Sequence, residues 1–167
     1  NHMFLKVSFD APQKKVYGEV THTFVTKQDD VDTIFLDAIN IDVEQAFLDG
    51  REVKYNQVEG GLVFEAGLKN MYNSTHKLKI KYSAFPKKGI YFVGWDQEPA
   101  TDIAHQTRRQ IWTQGQGKYT SNWLPSIDDM NDKIEFDLNI LFDENYQNIL
   151  GAAMPNRWLM GGIKFSL

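Results

Sequence analysis

Cysteine is absent from the 167-residue sequence, which excludes disulfide bonds and metal sites built on thiolates. An excess of positive charge is absent too: 18 lysine and arginine residues stand against 22 aspartate and glutamate residues, for a net charge of -4. No basic run is longer than Lys87-Lys88 or Arg108-Arg109. We therefore expect no nucleic-acid partner, because such partners select strongly basic surfaces.

Long apolar runs are also missing. No stretch approaches the ~20 consecutive apolar residues that cross a bilayer, so the sequence predicts no membrane span. Up to Tyr82, no segment has a helical period long enough to predict a helix. The length suits one domain with a sizeable core, over residues 4–167. We interpret residues 1–3 (Asn-His-Met) as a cloning scar.

Short alternating segments separated by turn residues make up most of the chain. Apolar and polar side chains alternate there with a period of two, which is typical of half-buried strands. These segments include residues 4–9, 15–25, 76–82 and 133–143. Asp49-Gly50 between two such runs predicts a type I′ hairpin. His22 lies on the same face of its strand as apolar residues, which favours a core histidine over a ligand. We expect an all-β fold, an antiparallel two-sheet sandwich or saddle with long loops.

One stretch, residues 111–132 (IWTQGQGKYTSNWLPSIDDMND), differs from the regular strands. We expect it to be a strand end that continues into a long ordered loop. Alternate side chains of an extended segment share a face, so Trp112, Gln114 and Gln116 should project together. A carboxamide has both an acceptor and a donor, so a glutamine pair can bind a protonated amine while donating to a peptide carbonyl. That chemistry suits the end of a peptide.

Acidic residues near the end of this stretch could suggest a cation site. They are Asp128, Asp129, Asp132 and Glu135. The calcium-loop pattern of alternating oxygen ligands around a central glycine is not met, and carboxylates at such junctions more often cap turns. The sequence therefore predicts no metal site in this chain.

Large aromatic residues leave a second class of function open. They are Trp95, Trp112, Tyr119 and Trp123. The alternative function is a noncatalytic β-sandwich binding module that recognises a carbohydrate or protein partner through surface aromatics. Packing in the core or against a neighbouring domain is the more common role of such residues and is favoured over a sugar-binding platform.

The same stretch resembles a known family. Thr-Gln-Gly-Gln followed by Trp-Leu-Pro-Ser-Ile-Asp-Asp is similar to the Gln-x-Gln/Glu and Phe-Pro-Cys-Phe-Asp-Glu-Pro segment in the N-terminal, saddle-shaped β domain of the aminopeptidase N family of zinc metallopeptidases. The similarity extends over VSFD, VYGEV, KYSAFPKKGIYFVG and KIEFDLNILFD. It implies that Gln114 and Gln116 hold the first residue and α-amine of a peptide substrate, and that Asp128 or Asp129 helps to fix the loop.

The resemblance also implies what lies outside this chain. The family holds zinc through a His-Glu-x-x-His helix and a further glutamate, and none of the four histidines here begins that motif. We therefore expect the N-terminal domain of a larger aminopeptidase that releases N-terminal amino acids, with zinc in a separate catalytic domain. The expected partners are peptide substrates and that catalytic domain, and this chain alone should be inactive.

Overall fold

The computed structural model describes residues 2–96, 109–115, 118–128 and 134–141. These residues form strands and a short 3-10 turn at Thr120–Asn122. The strands are β1 (His2–Asp10), β2 (Lys15–Val25), β3 (Val31–Asp37), β4 (Ile41–Leu48), β5 (Arg51–Glu52), β6 (Tyr55–Val58), β7 (Gly61–Leu68), β8 (Thr75–Ala84), β9 (Ile90–Val93), β10 (Gln110–Thr113) and β11 (Glu135–Leu141).

The larger sheet has six strands in the order β11-β1-β2-β8-β4-β5. Its long strands alternate between core and solvent as their sequences predict: Val16, Val20, Leu78 and Ile80 are fully buried while their neighbours are more exposed. Gly18 is required on the inner face, because a β-carbon there would collide with the ring of Tyr82. One face of this sheet therefore forms half of the core.

The other half of the core comes from a three-stranded sheet in the order β3-β7-β6. Leu36, Leu62 and Phe64 project from it into the same buried cluster as Leu5 and the other inward residues of the larger sheet. Two sheets thus pack face to face over one core, as expected for a sandwich. The predicted all-β sandwich is confirmed.

Two details of the strand pairing differ from simple expectation. The predicted strand near the end of the described chain, β11, pairs with β1 in the parallel direction, whereas the other pairs are antiparallel. The segment that follows the Asp49-Gly50 turn is divided between the two sheets, because β5 pairs with β4 whereas β6 pairs with β7. The chain therefore crosses between the sheets at Val53–Lys54. The predicted Asp49-Gly50 turn is confirmed, with φ values of +51° and +80° that match a type I′ hairpin.

Candidate functional site

Strands β9 and β10 form a separate antiparallel hairpin that lies against the sandwich. Its inner residues, Ile90, Phe92 and Ile111, pack against the core, and the ring of Phe92 meets Phe9 edge to face. Strand alternation directs Tyr91 and Trp112 to the opposite face, where the pairing register places them directly across from each other. The hairpin therefore has a buried apolar side and an outer aromatic side.

Gln114 follows β10 directly and is exposed. Its backbone amide donates a 2.9 Å hydrogen bond to the carbonyl oxygen of Gly89, which continues the ladder one step beyond β10. Gln114 and the exposed Trp112 thus lie two residues apart in extended chain, the arrangement predicted for a shared face. Gln116, the second predicted glutamine, lies outside the described residues.

Gly89 joins the hairpin to the loop that follows it. Its φ is +83°, and a β-carbon there would overlap the carbonyl oxygen of Tyr119 and lie 3.1 Å from Cδ1 of Trp123. A glycine is needed on both counts, since it accepts positive φ and has no side chain to collide with the loop. Because its own carbonyl oxygen binds the amide of Gln114, Gly89 fixes the glutamine backbone relative to the loop.

The loop over residues 118–128 is attached to the end of β3. Asp37 and Ser126 exchange two backbone hydrogen bonds of 2.8 and 3.1 Å, and the amide of Ile39 donates to the carbonyl oxygen of Ser121 at 2.8 Å. The carboxylate of Asp37 accepts from the amide of Asp128 at 2.9 Å, and the carboxylate of Asp128 accepts from the amide of Ser121 at 3.2 Å. These bonds satisfy buried backbone groups that a loop otherwise leaves unpaired. Asp129 lies outside the described residues.

His22 anchors the same loop from β2. It is buried, and its Nε2 lies 2.9 Å from the carbonyl oxygen of Pro125. A carbonyl can only accept, so Nε2 is the protonated nitrogen of the neutral ring. Burial lowers the pKa of His22 to about 4, although the bond to Pro125 acts in the opposite direction. The histidine therefore serves as a neutral structural donor near neutral pH.

The four aromatic residues singled out in the sequence have different environments. Trp123 is 8% exposed and belongs to the core, and Trp95 donates from Nε1 to the carbonyl oxygen of Gln110 at 3.3 Å. The ammonium of Lys88 lies 4.9 Å from the ring centre of Tyr119. Among the four aromatic residues, Trp112 is the one that is more than a third exposed, at 44%. A platform formed by all four is not what the structure shows.

Sequence reasoning missed two residues of this region. Tyr91 stacks on Trp112 with ring centres 4.4 Å apart and planes inclined by 22°, and Gly89 holds Gln114. Alternation within Ile90–Val93 could have placed Tyr91 on the outer face. The contact between Gly89 and Tyr119 leaves no such signal, since the two residues are distant in sequence.

The described part of the chain contains neither a metal-binding cluster nor a membrane-spanning helix. Within the described ranges, no three histidine, aspartate or glutamate side chains lie close enough together to hold a metal ion. No helix in that part of the chain has the length and apolar character needed to span a bilayer.

Comparison with known families identifies the domain. The family model of the peptidase M1 N-terminal domain matches residues 1–157. The chain belongs to this family. The M1 zinc metallopeptidases are thus the relatives of this M1 N-terminal domain, as the resemblance in the sequence implied.

Solved structures share the fold of this M1 N-terminal domain. Yeast LTA4 hydrolase in complex with bestatin superposes with a TM-score of 0.68 at 18% identity, covering 84% of this chain and 22% of that one. The M1 zinc metallopeptidase from Deinococcus radiodurans gives a TM-score of 0.66 at 19% identity, covering 84% and 31%. A mutant of the Deinococcus enzyme bound to a Tyr-Ser-Ala substrate gives 0.66 at 18% identity.

The chain thus spans less than a third of the length of these relatives. A search of curated proteins found no match.

Proposed function

We propose that this chain is the N-terminal domain of a zinc-dependent aminopeptidase and helps to bind the free α-amine and first residue of peptide substrates. The observation that supports this proposal is the position of Gln114 in an M1 N-terminal domain. The glutamine is exposed at the end of a hairpin, and its backbone is held by Gly89. A side chain that must orient a substrate needs both access and a fixed backbone.

The chemistry of the proposed site is amine recognition by carboxamide oxygen. An α-ammonium group donates hydrogen bonds, and the carbonyl oxygens of Gln114 and Gln116 can accept them. Holding the amine at one place determines which peptide bond reaches the reacting centre, so that only the first residue is released. The rate gain comes from orientation, since a bound and aligned substrate has already lost its translational and rotational freedom.

Zinc does not fit the residues of this chain. Its described residues form no metal-ligating group, and the sequence contains no His-Glu-x-x-His. In the proposal, the metal and the general base belong to a catalytic domain outside this chain, and peptides and that domain are the partners. Asp128 and Asp129 are proposed to support the loop rather than to bind metal, which is consistent with the hydrogen bond from the Ser121 amide to the Asp128 carboxylate.

The test is amino-acid p-nitroanilide hydrolysis by the full-length protein. We expect Gln114→Ala and Gln116→Ala each to lower kcat/KM by at least ~10-fold, because a hydrogen bond to a charged group contributes about 1.5–3 kcal/mol. Zinc content should remain unchanged. Gln110→Ala is the matched control, since Gln110 is an exposed glutamine on the same strand, about four residues before the site.

An equal, small effect of all three substitutions would contradict the proposed role of the glutamines. Absence of any chelator-sensitive peptidase activity in the full-length protein would favour the noncatalytic binding module instead.

A further inference from the structure

The outer face of the β9–β10 hairpin holds two stacked aromatic rings next to Gln114. Tyr91 and Trp112 are cross-strand partners with ring centres 4.4 Å apart, and Trp112 remains 44% exposed. Large aromatic rings at such positions would usually turn toward the core, which here receives Ile90, Phe92 and Ile111 instead. The rings stiffen each other, so the exposed apolar surface has a fixed position.

The position of this surface relative to Gln114 is determined by the strand. Trp112 precedes Gln114 by two residues, so their side chains leave the same face about 7 Å apart. The residue across from Gln114 is Gly89, which has no side chain. The loop fills the place of a Gly89 side chain, since a β-carbon there would overlap the carbonyl oxygen of Tyr119. The nearest hairpin side chains on the face of Gln114 are therefore those of the Tyr91–Trp112 stack.

We propose that the Tyr91–Trp112 stack is a specificity-determining surface that contacts the side chain of the first substrate residue and favours large apolar or aromatic residues there. This inference rests on the proposed function. A ligand whose α-amine lies at Gln114 has its first side chain attached one atom away from that amine. A phenylalanine ring extends about 5 Å and a leucine methyl group about 4 Å from the α-carbon, so with a contact distance of about 3.5–4.0 Å either one spans the ~7 Å between the two strand positions. An alanine methyl group, about 1.5 Å from the α-carbon, does not reach the rings.

The physical preference follows from the surface itself. Tyr91 and Trp112 provide ring faces and edges, which attract other rings and aliphatic groups through dispersion and area burial. The hairpin is also held rigidly, by Ile90 in the core and by Gly89 on the loop. A rigid apolar wall loses little conformational entropy when a side chain packs against it, so contact at this point raises affinity.

The experiment measures selectivity in the full-length protein. Wild type and Trp112→Ala are compared on the p-nitroanilides of phenylalanine, leucine and alanine. We expect Trp112→Ala to lower the ratio of kcat/KM for phenylalanine over alanine by about 5- to 10-fold, from the loss of one aromatic contact and its buried area. Trp112→Phe should retain most of the ratio because it preserves a ring on Tyr91. Tyr72→Ala, which removes an aromatic residue that is 63% exposed in a distant turn, should leave the ratio unchanged.

The outcomes separate this inference from the proposed function. A loss that is equal for phenylalanine and alanine substrates, or no loss at all, would overturn the specificity role. Gln114→Ala should instead reduce turnover of every substrate. Unchanged turnover in this variant would remove the proposed function, and any change of selectivity in Trp112→Ala would then need another explanation. Sugar binding would replace this inference under one combination of results. Immobilised oligosaccharide would retain the wild-type protein but not Trp112→Ala, and the substitution would leave peptide selectivity unchanged.

Discussion

Replacement of Gly89 by alanine gives the most direct test of how the loop and the hairpin are joined. Two costs add at this position. The φ of +83° disfavours any residue with a β-carbon by about 1 kcal/mol. The new methyl group would also overlap the carbonyl oxygen of Tyr119, and the backbone shift that relieves such overpacking typically costs about 1–3 kcal/mol. We therefore expect Gly89→Ala to lower the free energy of unfolding by about 3 kcal/mol.

Gly50 provides a matched control for this substitution. Its φ is +80°, nearly that of Gly89, but a β-carbon there would have nothing within 4 Å. Gly50→Ala should therefore show the backbone cost alone, about 1 kcal/mol. The difference between the two variants, about 2 kcal/mol, measures the contact between Gly89 and the loop.

Urea unfolding of the chain at 25 °C, followed by tryptophan fluorescence, measures both variants. With a slope of about 2 kcal/mol per molar urea, a difference of about 2 kcal/mol separates the two midpoints by about 1 M. Equal midpoints for Gly89→Ala and Gly50→Ala would refute the idea that the loop packs against Gly89. They would also remove the physical reason for a fixed Gln114 backbone.

Two further predictions concern the anchors of the loop. The pKa of His22 is about 4 in the folded chain, against 6.5 for an exposed histidine, so the unfolded chain binds the proton more tightly. The free energy of unfolding should therefore fall by about 3 kcal/mol as the pH drops from 7 to 4. Urea midpoints should change less with pH in His22→Gln, whose amide can still donate to Pro125. If the midpoints of this variant depend on pH as strongly as those of the wild type, His22 is not the group responsible. Asp128→Ala should lower the unfolding free energy by about 1 kcal/mol through loss of the bond from Ser121, whereas Asp42→Ala, at an exposed site of β4, should have little effect in the same urea assay.

The strands were largely predictable because burial on one face leaves a period of two in the sequence. This holds for β2 and β8, whose inward residues include Val20 and Ile80. For β11 the alternation correctly predicts which side chains meet the core, but pairing with β1 and its parallel direction depend on distant residues. The split at Val53–Lys54 was not predictable either, because the same extended backbone suits both sheets.

The candidate site was predictable only in part, for a similar reason. Alternation predicts a shared face for Trp112 and Gln114, and both are exposed. The bond from Gln114 to Gly89 and the anchoring of the loop on Asp37 join segments far apart in the sequence, and no local pattern records them. The role of Trp123 was likewise undetermined by composition, since the same residue type serves a surface or a core, and here it is buried.

The parallel pairing of β1 with β11 has a consequence for protein synthesis. His2 pairs with Glu135, so a ribosome must add roughly 130 residues after the first strand before its partner exists, which takes roughly 6 to 26 seconds at ~5–20 residues per second. During that interval the nascent β1 can pair with β2 on one side while its other edge offers unpaired backbone groups to any neighbouring chain. Chaperones that bind exposed strand edges would therefore find a target in β1 until translation delivers the strand that covers it.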